Sequence, residues 1–143
     1  MTQPLTWPVD LQRQDDGSVL VSFPDIPEAL TEGTTEAEAL ADARDCLIAA
    51  LGGYVGERRA IPRPSPAHGR PVVVLPALVA AKIALYAAMR AQGVTNTALA
   101  ARLGLTEGAV RRLIDLDHRS HIGHIEAALH ELGQFLTVAT RAA

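Results

Sequence analysis

The stretch VTNTALAARLGLTEGAVRRLIDL, residues 94–116, decides how the second half of this chain folds. Its apolar residues recur at the three- and four-residue spacings of a helix, first up to Leu103 and again from Val110. Gly104 lies between the two runs, and glycine is favoured where a helix ends with a positive φ. Thr106 follows as a good N-cap. The stretch therefore predicts two short helices joined by a tight turn.

The spacing of small and apolar residues here resembles the helix-turn-helix of phage-repressor-type DNA-binding domains. The pattern is Leu99-Ala100-x-x-Leu103-Gly104-Leu105-Thr106-x-x-x-Val110-x-x-Leu113. Ala100 stands where two such helices must cross closely, and the second helix of the motif enters the major groove. The alternative is an ordinary helical hairpin.

The motif predicts which side chains meet DNA. Arg112 can pair bidentately with guanine, and Glu107 can accept a hydrogen bond from a cytosine amine. Arg102 is either a phosphate contact or a structural ion pair. The polar turn after the motif suits phosphates, although its side chains are equally consistent with simple solvation. The predicted DNA-binding residues are Asn96, Thr97, Thr106, Glu107, Gly108, Arg111, Arg112, His118, Arg119 and His121.

Elements on both sides complete the predicted second domain. Helices are expected over residues 77–92 and 122–132, each closed by a glycine. Residues 135–140 then have strand character, and a lone strand is a candidate for pairing with a second copy of the chain. The predicted dimerisation residues are Phe135, Leu136 and Val138.

The first half predicts strands followed by a helix. Residues 5–13 are expected to form one strand, with Pro8 indicating an edge or strand-start position. Asp15-Asp16-Gly17 predicts a hairpin turn into a second strand over residues 19–23, because Asp-Gly supplies the positive φ that such turns need. A loop over residues 25–30 and a short third strand over 30–33 are expected next.

A helix is predicted after these strands. Thr35 and Glu38 stand three residues apart, as in a capping box, and the helix either ends at Gly52-Gly53 or continues to Arg59. The proline-rich residues 61–71 have the composition of a linker. However, VVVL at residues 72–75 predicts a buried strand, which makes that segment a loop within the first domain. The predicted domains are therefore residues 1–76 and 77–143.

Charge is unevenly distributed along the chain. Residues 1–60 hold 11 Asp and Glu against 4 Lys and Arg, whereas residues 61–143 hold 5 against 9. A basic second half suits a polyanion such as DNA, and an acidic first half suits a basic partner. The alternative is that these charges only keep both halves soluble.

Cysteine usage and hydropathy indicate the compartment. Cys46 is the only cysteine, so no disulfide can form within the chain. No basic–apolar signal segment is visible, and the longest apolar run, residues 72–85, is interrupted by Pro76 and Lys82. We therefore predict a cytoplasmic protein without a membrane span.

Three motifs stand in the first half of the chain. They are Ser22-Phe23-Pro24-Asp25-Ile26-Pro27, then Thr31-Glu32-Gly33-Thr34-Thr35-Glu36-Ala37-Glu38-Ala39-Leu40-x-x-Ala43, then Ile61-Pro62-x-Pro64-Ser65. Together they resemble the HicB family, the antitoxins of a type II toxin–antitoxin system. The resemblance covers about residues 6–75, and a helix-turn-helix behind it is one of the two known arrangements of the family. The chain departs from the family pattern at Glu28-Ala29, where glycine is common.

The resemblance implies an α+β fold. A partial ribonuclease-H-like β-β-β-α-β domain would be followed by an all-α phage-repressor-like helix-turn-helix domain with a C-terminal strand. The first domain would neutralise a HicA-type toxin, a small basic messenger ribonuclease. The second would bind operator DNA as a homodimer or homotetramer and repress the shared operon. No cofactor is implied. The alternative is a stand-alone helix-turn-helix regulator whose first domain senses a ligand or dimerises.

The acidic first half also supplies candidate toxin contacts. Asp25 either holds a loop or meets toxin cations. The predicted toxin-binding residues are Asp16, Phe23, Asp25, Glu28 and Glu32.

Catalysis and metal binding are not expected. Ribonuclease-H chemistry needs several carboxylates gathered around two metal ions, but the available ones fall largely in a turn and a loop. These carboxylates are Asp10, Asp15, Asp16 and Asp25. His118, His121 and His124 are spaced by three, yet zinc needs further ligands. We predict a non-enzymatic protein with no metal site.

Overall fold

In the computed structural model, which describes residues 5–143, the chain divides into two units, Met1–Pro76 and Ala77–Ala143. Within the described residues the first unit contains five strands and one helix, and the second contains four helices. The α+β class predicted from the sequence is confirmed.

The described part of the first unit carries two antiparallel sheets and a single long helix. Its strands are β1 (Thr6–Pro8), β2 (Asp10–Arg13), β3 (Val19–Phe23), β4 (Ile26–Gly33) and β5 (Val72–Val74), and α1 (Glu36–Gly56) connects β4 to β5. The strands β2, β3 and β4 form a three-stranded sheet in that order, and β1 pairs with β5.

The prediction of one strand over residues 5–13 is wrong, because the strand is divided at Val9. On one side of the break Trp7 lies opposite Val73, and on the other Leu11 lies opposite Val21. Proline has no N–H for a strand ladder, so Pro8 ends β1 and the chain changes its pairing partner there. Val9 still donates its N–H to the Pro71 carbonyl at 3.0 Å.

The predicted loop over residues 25–30 is also wrong. Phe23 lies opposite Ile26, so only Pro24 and Asp25 form the turn, and β4 begins directly after it. A register shift between Ser22 and Phe23 accommodates the irregular start. Pro27 is tolerated because β4 is the edge strand of its sheet, where a missing N–H removes no necessary hydrogen bond.

The helix α1 begins as predicted and continues past Gly52-Gly53, but it ends at Gly56 rather than at Arg59. The Thr35 hydroxyl accepts a hydrogen bond from the Glu38 N–H at 3.1 Å, and the helix passes through both glycines to Gly56. Its buried face packs against β3 and β4. The buried residues of α1 are Ala39, Ala43, Leu47, Leu51 and Tyr54.

The second unit is a helical domain built around the predicted motif. Its helices are α2 (Ala77–Gln92), α3 (Asn96–Leu103), α4 (Glu107–Ile114) and α5 (Ile122–Glu131). Gly104 adopts φ 67° between α3 and α4, which is the left-handed turn that the sequence predicted. The fully buried apolar side chains of this core are Leu85, Leu99, Val110, Ile125 and Ala128.

The predicted C-terminal strand is absent, since residues 135–140 form neither helix nor strand in the single chain. A strand is defined by hydrogen bonds to a neighbour, and the described part of this unit offers no strand for them to reach. Phe135 and Val138 are each 82% exposed. The segment is therefore an apolar tail on the surface of the chain.

Candidate functional sites

The carboxylate of Asp25, in the turn between β3 and β4, holds the proline-rich segment in place. Its Oδ2 accepts hydrogen bonds from both the N–H and the hydroxyl of Ser65, each at 3.0 Å. Of the two roles predicted for Asp25, holding a loop is the one that the structure shows. Because residues 61–71 are fixed in this way, they form a loop of the first unit rather than a free linker.

Glu28 connects β4 to the end of α1. Its Oε2 accepts a hydrogen bond from the Tyr54 hydroxyl at 2.7 Å, and its Oε1 lies 3.4 Å from Nη2 of Arg59. The guanidinium carbon of Arg59 lies 4.2 Å from the centre of the Tyr54 ring. The hydrogen bond from Tyr54, assisted by the Arg59 charge, holds the pKa of Glu28 below its ordinary value. Glu28, which departs from the family pattern, is therefore exposed and is also held to α1 by the hydrogen bond from Tyr54.

This lowered pKa predicts a stability change at acidic pH. A carboxylate whose pKa is lower in the folded state stabilises the fold above its unfolded pKa, and this contribution disappears as the pH falls through the folded pKa. At pH 7 we expect Glu28→Gln to unfold at a lower denaturant concentration than the wild type. The difference should shrink as the pH is lowered below about 4. Unfolding can be followed by the fluorescence of Trp7, the single tryptophan.

Glu32→Gln, at an exposed glutamate on the same strand, is the matched control and should unfold at the wild-type denaturant concentration at pH 7. A stability difference between wild type and Glu28→Gln that stayed constant from pH 7 to pH 3 would contradict the assigned role of the Glu28 charge.

Asp16 and Glu32 lie at the other end of the β3–β4 hairpin from Asp25. The N–H and the hydroxyl of Ser18 donate to Oδ1 of Asp16 at 2.9 and 2.6 Å, and these bonds lower the pKa of Asp16. Asp16 and Glu32 line one shallow depression together with Glu38. The predicted acidic toxin contacts therefore form two groups, one at each end of the hairpin.

Phe23 cannot be a toxin contact in this fold, and that prediction is wrong. Its side chain is 2% exposed, because alternate residues of a strand point to the same face and β3 turns Val19, Val21 and Phe23 inward. The sequence predicts Phe23 in the strand over residues 19–23, and the alternation along that strand already places it on the same face as Val19 and Val21.

Three of the four carboxylates considered for catalysis are engaged in structural contacts. Asp10 accepts a hydrogen bond from Arg70 at 3.3 Å, while Asp16 and Asp25 bond to the serines described above. Among residues 5–143 no group of three or more His, Cys, Asp and Glu side chains is arranged to hold a metal ion.

The helix α4 carries the residues that the sequence predicts to read bases. Oε2 of Glu107 lies 3.6 Å from Nη2 of Arg111, and Nδ2 of Asn96 donates to Oε1 of Glu107 at 3.5 Å. The Glu107 carboxylate is therefore oriented by a neighbour on each helix of the motif. Arg112 is exposed and forms no ion pair with any described residue.

Two guanidinium groups gather at the beginning of α4. A Cβ atom added to Gly108 would lie 3.5 Å from Nη2 of Arg111 and 3.7 Å from Nη1 of Arg112. Helical side chains lean toward the N-terminus, so the two arginines extend along the helix toward the end that a helix-turn-helix presents to bases. The small residue at position 108 leaves room for both.

Both helices of the motif begin at a threonine. The Thr106 hydroxyl accepts a hydrogen bond from the Ala109 N–H at 3.1 Å, as predicted for an N-cap. The Thr95 hydroxyl, which the sequence analysis did not single out, caps α3 in the same way at 3.0 Å. Of the two roles predicted for Arg102, the structural ion pair is not found within the described residues.

The polar turn after α4 is exposed at His118, Arg119 and His121. The Nδ1 atoms of both histidines form contacts within the turn. That of His118 lies 3.1 Å from the Ser120 hydroxyl, and that of His121 accepts from the Gly123 N–H at 3.0 Å and caps α5. Contacts of this turn with phosphates remain a prediction.

Sequence reasoning missed Lys82, which is buried at 0% exposure in the middle of α2. Its Nζ donates to the carbonyl of Arg112 at 2.8 Å and to the hydroxyl of Ser120 at 2.7 Å. The only available signal was a lysine on an otherwise apolar helix face, and the sequence does not say which acceptors it reaches.

The chain is similar to known bacterial antitoxins over most of its length. Residues 6–84 match the family described as HicB-like antitoxins of bacterial toxin–antitoxin systems. An antitoxin HicB 2 from Photorhabdus laumondii is 40% identical over 136 residues, covering 95% of this chain and 96% of that protein. The chain belongs to the HicB antitoxin family.

Other relatives are similar over nearly the whole chain. An antitoxin HicB from Escherichia coli is 36% identical, with 94% of this chain and 98% of that protein covered. One from Pseudomonas fluorescens is 39% identical, with 91% and 90% covered. As a HicB antitoxin the chain is not an enzyme, which confirms the prediction from the sequence. Within the described part of the chain no helix has the length and hydropathy to cross a membrane.

Proposed function

We propose that this antitoxin binds and neutralises a HicA-type messenger-RNA-cleaving toxin through residues 1–76 and represses its own operon through residues 77–143. One observation carries the proposal. A chain similar to HicB antitoxins over about 95% of its length holds a pair of capped helices joined at a left-handed glycine, which is the geometry of a DNA-binding helix-turn-helix.

Charge supports the toxin-binding role of the first unit. Residues 1–76 carry 11 Asp and Glu against 6 Lys and Arg, which favours a basic partner. The exposed carboxylates of Asp16, Glu28 and Glu32 lie on or beside the β3–β4 hairpin and are the proposed contacts. The strand and helix order supports a partial ribonuclease-H-like fold that serves as a binding scaffold.

Charge and geometry also support operator binding by the second unit. Residues 77–143 carry 7 Lys and Arg against 5 Asp and Glu, so a basic excess accompanies the helix-turn-helix. We propose that α4 enters the major groove with Arg112 and Glu107 reading base edges, and that Asn96 and Thr97 meet phosphate at the beginning of α3. The two proposed partners, a messenger-RNA-cleaving toxin and operator DNA, indicate a cytoplasmic protein.

We propose that the apolar tail at residues 135–140 joins two copies of the chain by pairing with its counterpart. Two exposed large apolar side chains in one short segment favour burial against another surface. Phe135→Asp should therefore convert the assembly to a monomer, measured by size-exclusion chromatography with light scattering. Leu30→Asp, at a 56% exposed leucine of the first unit, is the control and should leave the assembly intact. A Phe135→Asp protein that kept its assembled mass would contradict this assignment.

Co-expression tests the neutralising function in cells. The small open reading frame beside the gene is expressed alone and then together with this chain. Growth arrest by the first and recovery with the second are expected, along with a complex that co-purifies. A stand-alone regulator would neither restore growth nor form a complex with the small protein, although it would still bind the DNA upstream of its gene. That result would refute the antitoxin proposal.

A further inference from the structure

The carbonyl of Arg112, near the C-terminal end of α4, is a meeting point for groups from two other parts of the second unit. It accepts from Nζ of Lys82 at 2.8 Å and from the Ser120 hydroxyl at 3.3 Å. The last carbonyls of a helix have no partners within the helix, so they must find them elsewhere. For the Arg112 carbonyl, the Lys82 ammonium supplies this partner, at the negative end of the helix dipole.

A buried ammonium is an unusual way to satisfy a carbonyl. Lys82 is the one buried charged or polar side chain among residues 5–143, and burial lowers its pKa while the nearby Asp115 charge opposes this shift. Apolar residues often fill a core at lower cost than a buried charge does, and in some proteins such a charge instead fixes a geometry. What Lys82 fixes is α4 relative to α2 and to the turn at Ser120.

We propose that Lys82 is a positioning residue for DNA recognition, which locks the backbone at Arg112 so that the Arg112 guanidinium is held over the beginning of α4. The proposal rests on the operator-binding function proposed above. Lys82 holds the main chain of the residue whose side chain extends toward Gly108. A base-reading arginine gains specificity only when its guanidinium lies at one place and angle, because bidentate pairing with guanine is directional.

Lys82, Ser120 and the Arg112 carbonyl form a hydrogen-bonded group, here called the lock. Ser120 connects this lock to the polar turn. Its hydroxyl accepts from Lys82, donates to the Arg112 carbonyl and lies 3.1 Å from Nδ1 of His118. The turn predicted to meet phosphates is therefore connected by hydrogen bonds to the anchor of the base-reading helix. We therefore expect the residues that contact phosphates and those that contact bases to be held at fixed positions relative to one another.

The test compares specific with non-specific DNA binding in Lys82→Met. Methionine fills a similar volume without the charge, so the variant is expected to fold. Its affinity for the DNA segment directly upstream of the gene should fall at least tenfold, whereas its affinity for a scrambled duplex of the same length should stay within about twofold. Arg90→Met, which removes a positive charge from the exposed surface of the same helix, should retain the wild-type discrimination.

Discrimination equal to the wild type in folded Lys82→Met would overturn the proposal. If Lys82→Met does not fold, Ser120→Ala decides, since it removes one member of the lock from a partly exposed position. A loss of discrimination in Ser120→Ala supports the lock, and unchanged discrimination refutes it.

Amide hydrogen exchange separates this proposal from the operator-binding function on which it rests. In the absence of DNA, the amides of α4 should exchange faster in Lys82→Met than in the wild type, while those of α3 keep their protection. If the wild type shows no preference for its upstream DNA, operator binding fails. The hydrogen-exchange measurement then tests the lock by itself. Unchanged protection of the α4 amides in Lys82→Met would refute the lock.

Discussion

Arg112→Ala is expected to abolish the preference of the second unit for its operator while leaving a folded protein. The side chain is exposed, so its truncation leaves no cavity, and its guanidinium lies at the beginning of α4 without an ion-pair partner among the described residues. A bidentate arginine–guanine contact is worth about 1–3 kcal/mol of discrimination against the wrong base, or about 5- to 150-fold for each copy bound. A binding titration against operator and scrambled duplexes measures this ratio.

Arg102→Ala is the matched control for Arg112→Ala, because it removes the same charge and the same side chain from α3. Arg102 is exposed, and a phosphate contact is one of the two roles that the sequence predicts for it. Its loss should weaken binding to both duplexes about equally and make the salt dependence shallower by about one phosphate contact. If Arg112→Ala behaved like Arg102→Ala, with its sequence preference unchanged, the assignment of Arg112 as the base-reading residue would fail.

Gly33→Ala is expected to destabilise the first unit severely. A Cβ at this position would lie 2.5 Å from the Ala39 nitrogen and 2.8 Å from its Cα, so the added methyl meets the backbone of α1. The helix must then move away from the sheet on which its apolar face packs. Overpacking of this kind costs about 1–3 kcal/mol or more, a large share of the 5–15 kcal/mol typical of a whole domain. Denaturant unfolding followed by Trp7 fluorescence should show the loss, together with failure to neutralise the toxin.

Gly53→Ala, in the adjoining helix α1, is expected to have the opposite effect and to increase stability. Gly53 is exposed within α1, and nothing lies within 4 Å of the position where its Cβ would be. Alanine should therefore stabilise the helix by about 1 kcal/mol through its higher helix propensity. Equal stability of Gly33→Ala and the wild type would contradict the close approach of β4 to α1.

Features set by neighbouring residues could be predicted from the sequence. The left-handed turn at Gly104 and the caps at Thr35 and Thr106 each depend on a few consecutive residues, and all three are present. The exposed position of Arg112 followed from helical periodicity in the same way. The helix-turn-helix and the beginning of α1 were predictable for this reason.

Features set by distant residues could not be predicted. The length of the turn after β3 depends on the pairing of β3 with β4, which leaves only Pro24 and Asp25 in the turn where a longer loop was predicted. The division of the first strand depends on β5, which lies more than 60 residues away in sequence. Lys82 gives no sequence signal of its acceptors, because Arg112 and Ser120 are 30 and 38 residues distant.

Cleavage of a messenger transcript by the purified product of the adjacent toxin gene tests the central claim most directly. With the toxin at fixed concentration, increasing amounts of this chain should reduce cleavage to background once the chain is in excess. Arg112→Ala should inhibit equally well, because it alters only the second unit, which is proposed to bind DNA. Cleavage that continues undiminished at tenfold excess of the folded chain would contradict the account.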